Sequence, residues 1–373
     1  MRRSRWTRWV ATPALVANLA ALAALGFVIA ATADSSVCGR HYVAGGDDVP
    51  FGNEVDTSQN FPSHLISDHL ATYGYCVYNL AQNGTTSSTY ISGGQLATTW
   101  NRAADLITLT VGEQNSPIVD LIDSCYQKIK DNDFTGALSC ALSAYSNSGA
   151  YTSLTSNLTY TLQQYRVIMA GRPKLVVAVT GYPNPYPAAS DATADVPQLC
   201  VPLIDTIPTC TARWLQLPLA LTAIDQTFQK LNTTIQNAVK PFAIGSGGRM
   251  VFVDTYTKIR SHCMQMDVSI KTTVEHPEED GAVHEHDSQK DFGCSSPWFV
   301  KQSDVNTTPD YLDPAAIGVL TKESQTVSGM GIHLNGDGHT CVSNLIWEAP
   351  MIDGTPLKWR LGVPEAPNSN ICQ

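Results

Sequence analysis

Two adjacent carboxylates, Asp47 and Asp48, follow a short apolar run and a pair of glycines in the stretch VAGGDDVPFG. Polar groups also follow later apolar runs, as NLAQNGTT from Asn79, GEQN from Gly112 and GIHLNGDGH, which ends at His339. Carboxylates and imidazoles transfer protons or attack electrophiles, and N–H groups stabilise developing negative charge. These residue types predict a catalytic or binding site assembled from separate turns.

Five apolar, β-rich runs lie in front of these turns or between them, at residues 41–45, 75–80, 105–112, 174–181 and 249–255. Most are continuously apolar, which is typical of parallel strands buried on both faces. Segments with helical spacing separate them. The clearest covers 217–239, with Pro218 in its first turn and Pro241 after its end. The alternation predicts a three-layer, doubly wound α/β domain around a mainly parallel five-stranded sheet, which binds ligands at the carboxyl ends of its strands.

In their order and spacing, the turns resemble the blocks of the SGNH, or GDSL, hydrolase family, particularly its secreted esterases and lipases. The first block, GDS-x-x-x-G, carries the family's nucleophilic serine. The segment GDDVPFG matches it except that Asp48 stands in the place of the serine. The second block, N-x-A-x-x-G, ends in a glycine whose backbone N–H binds the oxyanion, and it is matched by Asn79, Ala81 and Gly84.

The two later blocks of the family are matched less completely. The third, G-x-N-D, supplies an oxyanion-binding asparagine, and here Gln114 takes its place and Asn115 follows. The fourth, D-x-x-H-x-N-x-x-G-H, supplies the base, but Met330 stands where the acid is expected. Its other positions are matched by His333, Asn335, Gly338 and His339.

The resemblance implies a flavodoxin-like fold and a role for each matching residue. Asp48 would occupy the nucleophile position, His333 would be the base, and Gly84 and Gln114 would donate to the oxyanion. Asn115 is the alternative donor if the loop is offset by one residue. The family's equivalent of Asp47 supports the turn through hydrogen bonds. Since Gln is longer than Asn by one carbon, the donor of Gln114 is expected to be displaced by about an ångström.

The aspartate at position 48 leaves three functions open. The block order favours a secreted hydrolase acting on a lipid or carbohydrate ester. Attack of Asp48 on an ester would give a high-energy anhydride, so its role in such an enzyme would be that of a general base that activates water, with His333 beside it. The first alternative is a catalytically silent binding protein on the same fold. The second is a hydrolase that forms an aspartyl intermediate on a non-ester substrate.

No cofactor or metal is expected. Residues 275–291 are acidic and contain three histidines, including His284 and His286, but their spacing is not one of the usual zinc patterns. We expect this segment to be an irregular surface loop. The expected partner is a small-molecule, lipid or glycan ester substrate.

The N-terminus has the pattern of a targeting segment. Four arginines precede an uncharged apolar run, and Ala31-Thr32-Ala33 offers a cleavage site, so residues 1–33 are expected to be a signal peptide or a membrane anchor. Residues 34–373 then form the SGNH-like domain, secreted or anchored outside the cell. Removal of the segment would take away four of the 23 basic residues and none of the 33 acidic ones. The remaining domain would be strongly acidic, which argues against nucleic acid as a partner.

Ten cysteines behind an export signal predict disulfides rather than metal ligands. Pairing of neighbours closes short loops at low entropic cost, which favours Cys125 with Cys140 and Cys200 with Cys210. Cys263 and Cys294 would bracket the histidine-rich segment. Four N-x-S/T sequons are compatible with N-glycosylation, at Asn83, Asn157, Asn232 and Asn306.

Overall fold

The structure is a computed structural model that describes residues 38–53, 55–190, 207–260, 262–263, 265–275, 283–293, 297, 299, 332, 334–363, 365–366 and 371–372. Side chains are described in these ranges except at 207–214, 265–275 and 283–293.

Five parallel strands form the central sheet, in the order β2-β1-β3-β4-β5. Their bounds are β1 Arg40–Gly46, β2 Tyr75–Asn79, β3 Leu106–Thr110, β4 Val176–Thr180 and β5 Met250–Val253. Every residue of β3 (LITLT) and β4 (VVAVT) is buried, as expected for β-branched runs covered on both faces. The five strands and their parallel pairing confirm the sequence-based prediction of a doubly wound α/β fold.

Helices flank the sheet. The α-helices of the described ranges are α1 (Asp48–Phe51), α2 (Phe61–His64), α3 (Ser87–Ser92), α4 (Gln95–Asn101), α5 (Ile118–Asp120), α6 (Tyr126–Lys130), α7 (Phe134–Ser146), α8 (Ser148–Gly171), α9 (Ile207–Gly245), α10 (Thr255–Ile259), α11 (Gly336–Trp347) and α12 (Leu357–Arg360). Short π- and 3₁₀-helical turns occur at Leu65–Leu70, Ala71–Tyr73, Glu113–Asn115 and Leu121–Cys125. Helix α9 packs against α7 and α8, and α11 packs on α2 and α10.

The long helix α9 extends beyond both ends of the predicted 217–239 segment. The predicted apolar stripe is confirmed, with Leu217, Leu221, Ile224, Phe228, Leu231, Ile235 and Val239 all buried. The predicted ends are wrong, because Pro218 and Pro241 both lie inside the helix. An interior proline costs roughly 3 kcal/mol. Burial of Leu217 and Phe242 beside the two prolines offsets that cost.

The expectation of an irregular loop over 275–291 is also wrong for most of that segment. Strand β6 (Gln265–Glu275) pairs antiparallel with β7 (Val283–Gly293) along their whole length. The sequence carries the signal: apolar residues alternate with polar ones from Met266 through Lys271, the period of a strand.

Among pairs of cysteines that both lie in the described ranges, three disulfides join neighbours in the sequence: Cys38 to Cys76, Cys125 to Cys140 and Cys341 to Cys372. The predicted Cys125–Cys140 bond is confirmed. Cys263 is also disulfide-bonded. Cys200 and Cys294 lie outside the described residues, as do Asn306 and the N-terminal segment, so the predictions made for them stay predictions. Three disulfides are consistent with an extracellular protein. Among the described residues, no helix is both long and apolar enough to cross a membrane.

Candidate functional site

The turn after β1 brings two chain segments into close contact. Gly46 has φ of 141°, and a Cβ there would lie 1.8 Å from the carbonyl oxygen of Thr110 at the end of β3. Asp47 donates its backbone N–H to the same oxygen at 3.0 Å. Because no side chain fits at position 46, the strand turns sharply there and α1 starts at Asp48.

The carboxylate of Asp48 binds both of the predicted oxyanion donors. The backbone N–H of Gly84 donates to Asp48 Oδ1 at 2.7 Å, and Gln114 Nε2 donates to Asp48 Oδ2 at 2.7 Å. Asp48 is 1% exposed. The structure thus brings Asp48, Gly84 and Gln114 together, and the aspartate takes hydrogen bonds that a tetrahedral intermediate would need.

The loop that carries Gly84 is held to the turn by two side-chain amides, those of Asn79 and Gln95. Asn79 donates through Nδ2 to the carbonyl of Pro50 at 2.8 Å and accepts from the N–H of Ala81 at 3.1 Å. It therefore links β2 to the first turn of the candidate site.

Gln95 makes the second link, from helix α4. Its Oε1 accepts from Gly46 N at 3.0 Å, and its Nε2 donates to Gly46 O at 3.1 Å and to Thr85 Oγ1 at 3.0 Å. Gln95 is buried. Gln95 therefore holds Gly46, two residues before Asp48, against Thr85, the residue that follows Gly84.

Gln114 and Asn115 have different surroundings. The amide of Gln114 reaches Asp48, so the longer arm does not prevent the contact. Asn115 is directed to another element, since its side-chain oxygen accepts from the backbone N–H of Ser87 at the first residue of α3. Within the described residues, Asp48 is contacted by Gln114 and not by the alternative donor.

Two further buried carboxyl groups lie beside Asp48. Asp47 accepts through Oδ2 from the hydroxyl of Tyr182, and Glu113 accepts through Oε1 from the backbone N–H of Ile332 at 2.6 Å. The other oxygen of each, Asp47 Oδ1 and Glu113 Oε2, is buried without a hydrogen-bond partner in the described structure. We refer to Asp47, Asp48 and Glu113 as the acid cluster.

Burial raises the pKa of every carboxyl in the acid cluster. It raises the pKa of Asp48 to about 6, against the hydrogen bonds from Gly84 and Gln114, which lower it. Burial and the neighbouring charge of Asp48 raise the pKa values of Asp47 and Glu113 well above their ordinary range. Among the described residues, no lysine or arginine forms an ion pair with these groups. Each carboxyl of the cluster therefore holds its proton to a higher pH than an exposed carboxyl group would.

The segment predicted to carry the base is described only in part. His333 and Met330 lie outside the described residues, so the predicted role of His333 stays a prediction. Ile332, directly before it, donates its N–H to Glu113. Asn335 caps α11 by accepting from Gly338 N at 3.0 Å. His339 is buried, with its ring 6.5 Å from that of Phe61.

Three residues around Asp48 were not singled out in the sequence. Glu113 and Tyr182 lie in strand-end loops after β3 and β4, so their position was a usable signal. Gln95 lies in the helix α4, four residues before a buried threonine, and nothing in its local sequence distinguishes it.

The sequon at Asn232 is compatible with glycosylation in sequence but is buried in the structure. Asn232 is buried, and its amide donates to Tyr182 O and Phe228 O while its oxygen accepts from Tyr182 N. It holds the loop after β4 to α9 and does not reach solvent. Asn83, beside Gly84, and Asn157 are half-buried.

Within the described residues, no three His, Cys, Asp or Glu side chains are placed to hold a metal ion. His284 and His286 are in β7, where side chains are not described.

No protein-family model and no curated protein sequence matches the chain. Solved structures that are similar to it include three lipolytic enzymes. Phospholipase A1 from Streptomyces albidoflavus NA297 is 18% identical, over 60% of this chain and 83% of that one, with a TM-score of 0.41. The extracellular lipase from Streptomyces rimosus is 18% identical, over 60% and 84%, with a TM-score of 0.37. The lipase Lip_vut3 from a goat rumen metagenome is 15% identical, over 59% and 83%, with a TM-score of 0.38. At these scores the likeness carries no functional argument, and the fold assignment rests on the order and register of the strands.

Proposed function

We propose that the protein is a catalytically silent binding protein on an SGNH-type scaffold. The observation that carries the proposal is the position of the Asp48 carboxylate, which accepts the N–H of Gly84 and the amide of Gln114 at 2.7 Å each. An ester substrate needs these two donors for its developing oxyanion. A buried carboxylate that already holds both would have to leave before a carbonyl oxygen could enter.

The chemistry of aspartate supports the same conclusion. A carboxylate that attacks an ester forms an anhydride, which is less stable than the ester, so an acyl intermediate would not accumulate. The neighbouring Asp47 and Glu113 add negative charge when ionised, which opposes formation of a second anion in the site. Asp48 therefore resembles a permanent occupant of the oxyanion site.

A second candidate is the hydrolase of a lipid or carbohydrate ester, with Asp48 as the base that activates water. Burial raises the pKa of Asp48 to about 6, in the range of effective general bases at neutral pH. The donors from Gly84 and Gln114 also meet at one group, the Asp48 carboxylate, with one donor on each oxygen. This candidate requires the Asp48 carboxylate to release at least one donor during turnover.

Hydrolysis assays separate the two candidates. The full chain, Asp48→Ser, Asp48→Ala and Asp48→Ser/His333→Ala would be compared on short- and long-chain acyl esters, with thermal unfolding as a check on folding. We expect no turnover by the natural protein or by Asp48→Ala, and turnover by Asp48→Ser that is lost in the double variant. Such a gain would identify Asp48 as the group that blocks an otherwise assembled site.

Two outcomes would contradict the silent assignment. Turnover by the natural protein that is lost in Asp48→Ala would favour the hydrolase. A folded Asp48→Ser variant that hydrolyses no ester would mean that the donors and the base are not assembled, and that Asp48 is not what keeps the site silent.

A further inference from the structure

Basic side chains gather at the amino-terminal ends of the strands, whereas the acid cluster lies at their carboxyl-terminal ends. Arg40 begins β1, Lys174 lies two residues before β4, and Arg249 directly precedes β5. Arg249 donates to the backbone carbonyl of Arg172, and the guanidinium of Arg360 lies beside Gly248, next to Arg249 in the chain. In a chain with 33 acidic and 23 basic residues, this concentration of positive charge is a local exception.

Most of this positive charge is not neutralised by carboxylates. Three of the guanidinium groups donate to backbone carbonyls, which carry no net charge: Arg40 to Leu361 at 2.9 Å, Arg172 to Trp100 at 3.2 Å and Arg249 to Arg172 at 3.0 Å. Lys174 is exposed and forms no ion pair with the described residues.

A cavity of about 150 Å³ opens between these side chains. It is lined by Arg40, Tyr75, Asp105, Lys174, Arg360, Leu361 and Gly362. The volume is below the roughly 300 Å³ that drug-sized ligands need, so it fits a small ion or one polar group of a larger molecule.

The arrangement of the cations is partly preorganised. Arg40 is held by the carbonyl of Leu361 and lies over the ring of Tyr75, 5.4 Å from its centroid. Of the two carboxylates at this edge, Asp105 accepts the backbone N–H of His41 at 3.2 Å, and Asp353 is paired with Arg360. Of the three cations that line the cavity, Arg360 is paired with Asp353, which leaves Arg40 and Lys174 against the single lining carboxylate, Asp105.

From these contacts we infer that the cavity binds a phosphate group, either free phosphate or the phosphate of a larger ligand. A guanidinium fork and an ammonium group suit the charge and the several acceptor oxygens of phosphate. The site lies at the amino-terminal ends of the strands. It does not depend on the proposed function of the acid cluster, which lies at their carboxyl-terminal ends.

The test is a titration of the full chain with inorganic phosphate at constant ionic strength, followed by calorimetry and by the amide resonances of Leu361 and Gly362. We expect saturable binding that shifts both resonances. Lys174→Ala should weaken binding by about fivefold. The matched control is Lys258→Ala, which removes an exposed lysine of α10, after the carboxyl-terminal end of β5. This variant should leave binding unchanged.

Vesicles that contain phosphatidic acid distinguish the source of the phosphate. Co-sedimentation that is lost in Lys174→Ala would identify a lipid headgroup, whereas binding of free phosphate without co-sedimentation would identify a soluble ligand. Absence of saturable phosphate binding would overturn the proposal. Equal losses in the Lys174→Ala and Lys258→Ala proteins would also overturn it, because they would show a general charge effect.

Discussion

At the scale of single residues, the exchange of serine for aspartate changes what the turn after β1 does. A serine hydroxyl leaves the oxyanion donors free, whereas the longer carboxylate of Asp48 reaches both of them. Two charge-assisted hydrogen bonds compensate part of the cost of burying this group. The sequence blocks predicted that Asp48, Gly84 and Gln114 would lie together, but not that Asp48 would take the donors, since a motif fixes position and not side-chain direction.

Removal of the Gln114 donor is expected to raise the pKa of Asp48. A hydrogen bond to a charged acceptor favours the ionised form, so Gln114→Leu should move the pKa of Asp48 upward from about 6 by about one unit. The measurement is a carbon NMR titration of the aspartate carboxyl groups. Asn115→Ala, whose side chain contacts Ser87 instead, should leave the titration of Asp48 unchanged. An unaltered midpoint in Gln114→Leu would show that this amide does not bind Asp48.

Gly46→Ala tests the close approach that creates the turn. The added methyl group would lie 1.8 Å from the Thr110 carbonyl, so β1 and β3 would have to separate. We expect a loss of about 3 kcal/mol or more in the free energy of unfolding, measured with urea. Gly74→Ala is the matched control, because Gly74 has φ of 75° and open space around it, and should cost about 1 kcal/mol. Equal losses would mean that backbone strain alone, and not the contact, sets the requirement.

At the scale of elements, continuous apolar runs predicted the five strands because burial on both faces leaves little choice of residue. The ends of α9 could not be predicted, because proline disfavours a helix interior only on average and tertiary packing can override that preference. Here Pro218 and Pro241 stay helical while Leu217 and Phe242 pack into the core. Glu113, Tyr182 and Gln95 come together only through the sheet order, which places the loops after β1, β3 and β4 side by side.

Helix α9 is expected to be held by its buried stripe. Phe228→Ala removes a fully buried ring and should cost about 3–5 kcal/mol of unfolding free energy. Leu219→Ala lies on the same helix but is 54% exposed, so it should cost less than about 1 kcal/mol. Urea unfolding of both variants measures the difference, and similar losses would show that the stripe does not anchor the helix.

At the scale of the whole molecule, the buried acid cluster makes stability depend on pH. Burial raises the pKa of Asp48 from 3.8 to about 6, so between these values the folded protein holds a proton that the unfolded chain has released. The contribution of Asp48 to stability is therefore fully present at low pH and is lost as pH rises through about 6. The pKa values of Asp47 and Glu113 are also raised, so these two groups likewise contribute stability that is lost as pH rises.

Asp48→Ser should flatten this pH dependence. The variant lacks the Asp48 carboxyl, so the loss of stability between pH 4 and 7 should be smaller by about 3 kcal/mol than in the natural protein. Urea unfolding across this range gives the comparison, and Asp56→Ser, which alters an exposed carboxyl, serves as the control. If the variant and the natural protein lose the same stability over this range, Asp48 does not titrate as a buried group.

The most direct test of the central claim follows the Gly84 amide proton by NMR as pH changes. If Asp48 occupies the oxyanion donors, this resonance is displaced downfield when Asp48 ionises, with a midpoint near pH 6, and Asp48→Ser abolishes the transition. A Gly84 resonance that is insensitive to pH in this range, or that titrates unchanged in Asp48→Ser, would contradict the account.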